Sequence, residues 1–439
     1  MRKENKGVGG KYMIINIGIS VCIGLAIIGL FKEKSIINPL TTFCGIWTVV
    51  LLCSLTYPKL TTPQDEIYEY ITIGTVVFGI GYFWGSRRKK QLKVKLGNIV
   101  LNDNDTVYTP KSNALFVLGI ICVLAYLYNL YLVVSGAGSL ATAAIKAYLQ
   151  TFTMQKSSWL NAFYFLLIEP LSTAIPIIAI SNFVFGKKDK KLLIISITLV
   201  LIKTVANATR NTVMVILVYF IIGTVEYIKR YNLTPGLKAF VRRRKRQIVF
   251  AILGGIVLFV YMTVARGNKL LENLWVDFAL PPRLFEVWKE EVDSRDIYGY
   301  GFGSLQGFIF PVFYVLKNVL KIPLPTNIEI INDLITRTDT VFVWPGERVT
   351  ANAYVSLYWF FYLDGRLCGI IIGSFLIGYF SSKMYRKFIC NKSERSFTLY
   401  CFWFNVVVFS LVRVQFTNVS FALALIYTCF LYKRQGRKI

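Results

Sequence analysis

The 439-residue chain contains no histidine. That removes imidazole general bases, His–Asp relays and histidine-ligated metals from its chemistry. Acids are scarce as well. Asp and Glu number 23 against 50 Lys and Arg, for a formal charge of +27, and charged residues make up only 17% of the chain. An ordinary soluble domain carries about 25%. The eight cysteines (Cys22, Cys44, Cys53, Cys122, Cys368, Cys390, Cys401 and Cys429) form no CxxC pair and lie almost entirely in apolar stretches. They read as small hydrophobes, and neither a disulfide framework nor a zinc site is expected. A Walker A loop, an HExxH motif, regularly spaced voltage-sensor arginines and a TVGYG filter are all missing. No internal repeat divides the chain into similar halves. No small-residue cleavage site follows the first apolar stretch, Tyr12 to Phe31, so no cleavable signal is expected.

What the chain has in excess is apolar surface: 55% of its residues are hydrophobic and 15% aromatic. Length alone would allow about three globular domains. Apolar stretches of about 18 residues or more recur instead, the length that crosses a ~30 Å hydrocarbon core. The composition therefore predicts an all-α polytopic membrane protein. Eleven spans are expected, at 12–31, 36–56, 67–85, 114–134, 159–185, 192–209, 211–228, 248–265, 365–382, 397–412 and 416–432. They divide the chain into an N-terminal bundle (1–265, about eight spans), one large extracytoplasmic loop (266–350) and a C-terminal group (351–439, about three spans).

The basic runs set direction, because Lys and Arg near span ends stay in the cytoplasm. Seven lie in 86–113, four in 186–191, eight in 229–247, five in 382–396 and four after Tyr432. With Lys32 and Lys34, one side holds 30 of the 50 basic residues, and the C-terminus is cytoplasmic. This distribution points to a bilayer and away from nucleic acid. Eleven spans then put the N-terminus outside despite Arg2, Lys3, Lys6 and Lys11. Either a short tail crosses against the rule, which we favour, or one of the first three spans is misread. The external side differs in kind: residues 135–158 form a short loop, and 266–350 carry nine Lys/Arg with eleven Asp/Glu. Within the large loop Phe302 to Leu316 is apolar but short and broken by Pro311, so it reads as an interfacial or re-entrant helix.

Arginines stand at the external ends of the spans: Arg210, Arg266, Arg348, Arg366 and Arg413, joined by Lys203 seven residues before Arg210 on the same helical face. Snorkelling to headgroups explains any one of them. It does not explain the set, because the whole chain has 20 Arg against 30 Lys and external cations run against the positive-inside bias. Guanidinium binds phosphate bidentately and stays charged, which suits a diphosphate at the membrane edge. Without imidazole, a general base falls to a carboxylate. Asp364 is the first candidate and Glu347 the second; Asp364 also reads as a helix N-cap, and Glu347 as an ion-pair partner of Arg348. Glu169 lies inside a span before Pro170, where it either stabilises a kink or pairs with a cation such as Lys203. Trp344, Tyr354, Tyr358, Trp359, Phe360, Phe361 and Tyr362 read as an interface belt compatible with stacking on sugars.

These features together resemble the bacterial oligosaccharide repeat-unit polymerases of the Wzy type. The topology is similar over the whole chain, with Asn38-Pro39-Leu40 opening the second span, basic cytoplasmic loops and a large external loop before the last spans. Asn352-Ala-Tyr354 followed by Tyr362-Leu-Asp364-Gly365 and Gly369 looks like the family's Asn-x-Tyr and Asp-(Phe)-Gly-x-x-Gly pattern, without the intervening Phe. An Arg-x10-Gly motif described for some members is not found in either large external segment. The resemblance implies a GT-C-like glycosyltransferase of the cytoplasmic (inner) membrane, building O-antigen or capsule from undecaprenyl-diphosphate-linked oligosaccharides at the outer face. No cofactor or metal is implied, since lipid diphosphate is already a good leaving group. Arg210, Arg266, Arg348, Arg366, Arg413 and Lys203 would bind the diphosphate, Asp364 or Glu347 would take the acceptor proton, and Asn352, Tyr354 and Trp359 would contact glycan. A chain-length regulator and a flippase would be partners. The main alternative is a flippase for the same lipid-linked sugars. A ligase is a weaker one, because the typical ligase depends on an external histidine.

Overall fold

A computed structural model describes residues 8–87, 107–135, 159–207, 211–230, 270–318, 320–347, 349–391 and 393–435. It is mostly helix. The helices are α1 (Val8–Glu33), α2 (Pro39–Thr56), α3 (Asp65–Gly85), α4 (Ser112–Ser135), α5 (Trp159–Phe163), α6 (Glu169–Phe185), α7 (Lys190–Ala206), α8 (Asn211–Arg230), α9 (Leu270–Ser294), α10 (Phe302–Asn318), α11 (Thr326–Thr340), α12 (Ser356–Asn391), α13 (Glu394–Val408) and α14 (Val419–Leu431). Four short strands, β1 (Val107–Pro110), β2 (Val343–Gly346), β3 (Val349–Ala351) and β4 (Tyr432–Gln435), pair as β1–β4 and β2–β3, both antiparallel.

Among the described residues five helices are long and apolar enough to cross a membrane: Met13–Glu33, Pro39–Thr56, Ser112–Leu132, Leu160–Phe185 and Ser356–Asn391. Val215–Glu226 and Val419–Leu431 are shorter apolar helices. The expected eleven spans are thus met in part. The stretch 248–265 lies outside the described residues, and α3, α7 and α13 occupy expected spans without that combination of length and hydropathy. α3 opens with Asp65 and Glu66, and α7 and α13 have 17 and 15 residues.

Small residues set the closest approaches. A Cβ at Gly18 would lie 2.7 Å from Thr72 Oγ1, one at Gly79 would lie 3.2 Å from Leu25, and Lys32 Nζ donates to Ser86 Oγ at 2.6 Å. The sequence offset is the same at all three points, so α1 and α3 run parallel with α2 returning between them. The first three expected spans are therefore separate helices, of which α1 and α2 are long and apolar enough to cross a membrane. The start of α1 shares a face with the start of α3. On its other side α3 meets α12 backbone to backbone: a Cβ at Gly81 would stand 2.2 Å from Phe375 O, and one at Gly378 2.2 Å from Phe78 O. Such small-residue seams are how helices associate where lipid offers no hydrophobic drive.

Helix ends sort onto two faces. One face joins Ser35 to Glu226 (3.3 Å), the Tyr400 hydroxyl to Ile37 O (2.6 Å), Asn182 Nδ2 to the Glu394 carboxylate (3.0 Å) and β1 to β4. The other face carries the segment 270–351. That segment is seated on the bundle rather than standing apart as a domain. Leu280, Leu284, Phe285 and Trp288 of α9 are buried, Phe285 packs against Tyr70 and Tyr362, and Glu347 N donates to Lys59 O at 3.0 Å. α10, the helix expected to be interfacial or re-entrant, lies across this face. Its N-terminal end meets α12, Gly307 fits against Phe416 O and Asn418 O, and Phe310 and Tyr314 contact Phe165.

Candidate functional site

α12 is interrupted at Gly365 and Arg366. Arg366 adopts φ 54°, ψ −138°, outside the helical region and in a backbone conformation that L residues avoid. Holding a non-glycine residue there costs on the order of 1–3 kcal/mol. The chain exposes main-chain groups at the break, and the turn before α10 takes them up: Gly299 N donates to Leu363 O (2.8 Å) and Tyr300 N to Asp364 O (3.1 Å). The Asp364 carboxylate accepts from Gly303 N (2.7 Å) and Ser304 N (2.9 Å), the second and third residues of α10. Asp364 is therefore an N-cap, as one of its two sequence readings held, but of α10 and not of the helix that follows it. Gly303 is required at this join, since a Cβ there would lie 2.6 Å from Asp364 Oδ1. The Ser304 hydroxyl and Gly301 N also reach this carboxylate, so the turn before α10 engages most of its lone-pair positions.

Beside this cap stands a charged and aromatic cluster. The Arg366 guanidinium lies between the rings of Tyr298 (4.6 Å) and Tyr362 (5.0 Å). Its Nη1 is 3.4 Å from Asp293 Oδ1 and its Nη2 3.7 Å from Asp296 Oδ1. Nη1 is buried without a hydrogen bond, so the ion pair leaves donor capacity unused. Asp293 also accepts from the Tyr362 hydroxyl (2.8 Å) and pairs with Lys289 (2.9 Å), which reaches Glu66 at 3.2 Å; Tyr70 donates to Glu66. Burial opposes the charge on Lys289, but the hydrogen bonds it donates to Asp293 and Glu66 outweigh it and hold the ammonium above the usual lysine range. Lys289, Asp293, Tyr298 and Glu66 were not singled out from sequence. The i,i+4 spacing of Lys289 and Asp293 and the run of acids before Tyr298 were the available signals.

The other expected residues are distributed differently. Arg210, Arg266 and Arg348 lie outside the described residues. Arg413 forms a bidentate pair with Asp339, with Nη1 at 3.0 Å from Oδ2, and Asn352 Nδ2 donates to the backbone carbonyl of the same Asp339. Arg413 thus latches α11 to the turn before α14, and Asn352 ties the segment between β3 and α12 to the same end of α11. Lys203 is buried; its ammonium contacts Glu169 Oε2 (3.1 Å), Ser172 Oγ (2.8 Å) and Thr173 Oγ1 (3.5 Å). Three acceptors use its three N–H bonds, so Lys203 is a partner of Glu169 and not a free phosphate ligand. Arg366, Arg413 and Lys203 accordingly answer to three different carboxylate groups. Glu347 is exposed at the β2–β3 turn, and Tyr354 is partly buried against the core. Trp359, expected at a glycan, has 0% exposure and stacks edge-on with Phe360 inside the bundle; burial leaves it no open face.

Glu169 follows a π-helical turn, Tyr164–Ile168, that joins α5 to α6. Pro170 lacks an N–H for Leu166 O, and the Tyr427 hydroxyl fills that vacancy at 2.7 Å. Tyr126 donates to Glu169 Oε1 at 2.7 Å. Of the two roles foreseen for Glu169, the pairing with Lys203 is realised, while the carbonyl left by Pro170 is served by Tyr427. The turn lies at the Phe310–Tyr314 end of α10, roughly 15 Å along that helix from the Asp364 cap at 1.5 Å per residue.

Helical architecture and apolar spans define the class: an α-helical membrane protein. The chain matches no family model, no curated protein and no solved structure.

Proposed function

We propose that the protein polymerises undecaprenyl-diphosphate-linked oligosaccharide repeat units at the outer face of the cytoplasmic membrane. The observation that carries this reading is the break in α12, which places a carboxylate and a guanidinium two residues apart at the face covered by the 270–351 segment. Arg366 sits in a costly backbone conformation with a buried, unused N–H. Strain of this kind gathers where geometry serves a ligand. In the proposed reaction the acceptor hydroxyl attacks the anomeric carbon of the growing chain. The glycosyl–oxygen bond to the lipid diphosphate breaks, the diphosphate leaves with the electron pair, and a carboxylate takes the hydroxyl proton. Arg366, with Arg210, Arg266 and Arg348, stabilises the charge on the departing diphosphate. Asp364 accepts the proton, giving up one of the hydrogen bonds it takes from Gly301, Gly303 or Ser304. Arg413 and Lys203 serve the scaffold.

In cells, Asp364→Asn separates base from cap. Asn keeps one of the two cap acceptors, a loss of about 1 kcal/mol, and protein level at the membrane reports whether the fold survives. The expected result is normal protein, no polymer, and lipid-linked single repeats accumulating on the outer face. Normal polymer in that variant would remove Asp364 as the base. A second reading, translocation of the same lipid-linked units, is favoured by one observation: the Glu169–Lys203 pair lies within a span, where ionised groups mark transport paths. Its signature is accumulation on the cytoplasmic face.

A further inference from the structure

We propose that Tyr298 and Tyr300 form a platform for a pyranose ring of the saccharide, with Asp296 accepting its hydroxyls. This deepens the polymerase reading and rests on it for the identity of the saccharide. Four planar groups are stacked in a column. Tyr362 faces Arg366 at 5.0 Å, Arg366 faces Tyr298 at 4.6 Å, and Tyr298 stacks on Tyr300 at 5.9 Å with 26° between the rings. The outermost ring is open: Tyr300 is 87% exposed, and the Asp296 side chain beside the column is equally exposed.

A large ring left in water on a floppy loop would mean little, but this turn is held. Gly299 N and Tyr300 N are bonded to the two carbonyls at the break in α12, Ile297 N to Val292 O (3.3 Å), and Phe302 N to Gly299 O (2.8 Å). Within it Asp296 (φ 46°) and Tyr300 (φ 48°) both adopt left-handed backbone, which costs an L residue about 1–2 kcal/mol. The fold thus fixes an aromatic face toward solvent in direct continuity with the Arg366 column. Tyrosine suits the task because it gives rigid, amphipathic contact area with little rotamer entropy to lose. A sugar ring presents C–H bonds to such a face and hydroxyls at its edge, where a carboxylate accepts them.

The competing occupant is the membrane surface, where tyrosines gather. The surrounding charge disfavours it: Glu66, Glu290, Glu291, Asp293, Asp296 and Asp364 outnumber Lys289, Arg295, Arg337 and Arg366, and anionic headgroups attract basic segments rather than acidic ones.

The test uses the full-length protein in nanodiscs of phosphatidylethanolamine and phosphatidylglycerol. The probe is the oligosaccharide released by mild acid from lipid-linked repeats of the cells that naturally make the protein. Saturation-transfer NMR should detect binding to the wild type, weakened roughly three- to tenfold by Tyr300→Ala, the range expected for loss of one stacked ring. Tyr300→Trp should retain it. In brominated lipid the extra emission of Tyr300→Trp should stay unquenched. Absent binding to the wild type, equal binding by Tyr300→Ala, or quenching by brominated lipid each overturns the platform. Failure of the polymerase reading looks different. Saccharide binding that depends on Tyr300, in a protein whose Arg366→Ala variant still supports normal polymer, would keep the platform and remove the enzyme.

Discussion

Two helices are interrupted beneath the 270–351 segment, and they are repaired in opposite ways. At Tyr164–Ile168 the turn widens, the carbonyl orphaned by Pro170 is bonded by Tyr427, and the acid beside it is paired with Lys203 and hydrogen-bonded by Tyr126. Each partner comes from another helix of the bundle, and the Lys203–Glu169 pair is buried. At Gly365–Arg366 the backbone is strained, its repair comes from the turn before α10, and a guanidinium N–H is left over. A closed repair stabilises; an open one with unused donors is where a ligand adds something. The comparison assigns the first break to architecture, and the proposed chemistry rests on the second.

The largest expected effect is at the open break. Arg366→Ala should lower polymer formation about a hundredfold or more, the scale of losing one charge-stabilising donor, with protein level nearly unchanged. Gel analysis of polymer together with membrane immunoblotting checks it. The closed break should behave in reverse. Lys203→Met leaves Glu169 ionised and buried without its cation, a loss on the order of 3–5 kcal/mol, while Lys203→Met with Glu169→Gln should recover most of it. Thermal unfolding in detergent measures both. If both variants fold normally yet block polymer, the contrast between the breaks fails.

Smaller effects sharpen it. Arg366→Gly should be more stable than Arg366→Ala by about 1 kcal/mol, because glycine accepts a positive φ without penalty while both variants lose activity. Tyr427→Phe should cost about 1–3 kcal/mol by unsatisfying Leu166 O, and leave polymer length alone. The least effect is expected on the opposite face. Burial raises the Glu394 carboxyl above the usual glutamate range, against the hydrogen bond from Asn182. A raised folded value means its contribution is present at low pH and lost as pH rises through that value. Glu394→Gln should therefore gain stability relative to wild type above neutral pH and show no gain in acid, read from paired melting curves.

Much of the scaffold was legible because it depends on local pattern. Apolar length marked Met13–Glu33, Pro39–Thr56, Ser112–Leu132 and Leu160–Phe185, and the anomaly of Glu169 before Pro170 pointed to a kink or to a cation partner. The site was less legible. Asp364 could be read as a cap, but nothing in its neighbours says that the helix it caps starts some sixty positions earlier in the chain. Trp359 and Tyr354 sit in one aromatic run, yet the first is fully buried, because the seam between α3 and α12 turns that stretch inward.

What the sequence determined by itself is the solvent: an apolar chain with segregated basic runs settles in a bilayer, and without histidine it has no imidazole to offer. Tertiary structure alone decided which charges are spent and which are spare. Lys203, Arg413 and Arg366 look alike as cations at span mouths, but their carboxylate partners come from Glu169, Asp339 and Asp293, at separations set only when the helices pack. Coulomb energy depends on distance in space, and spacing along the chain does not carry it.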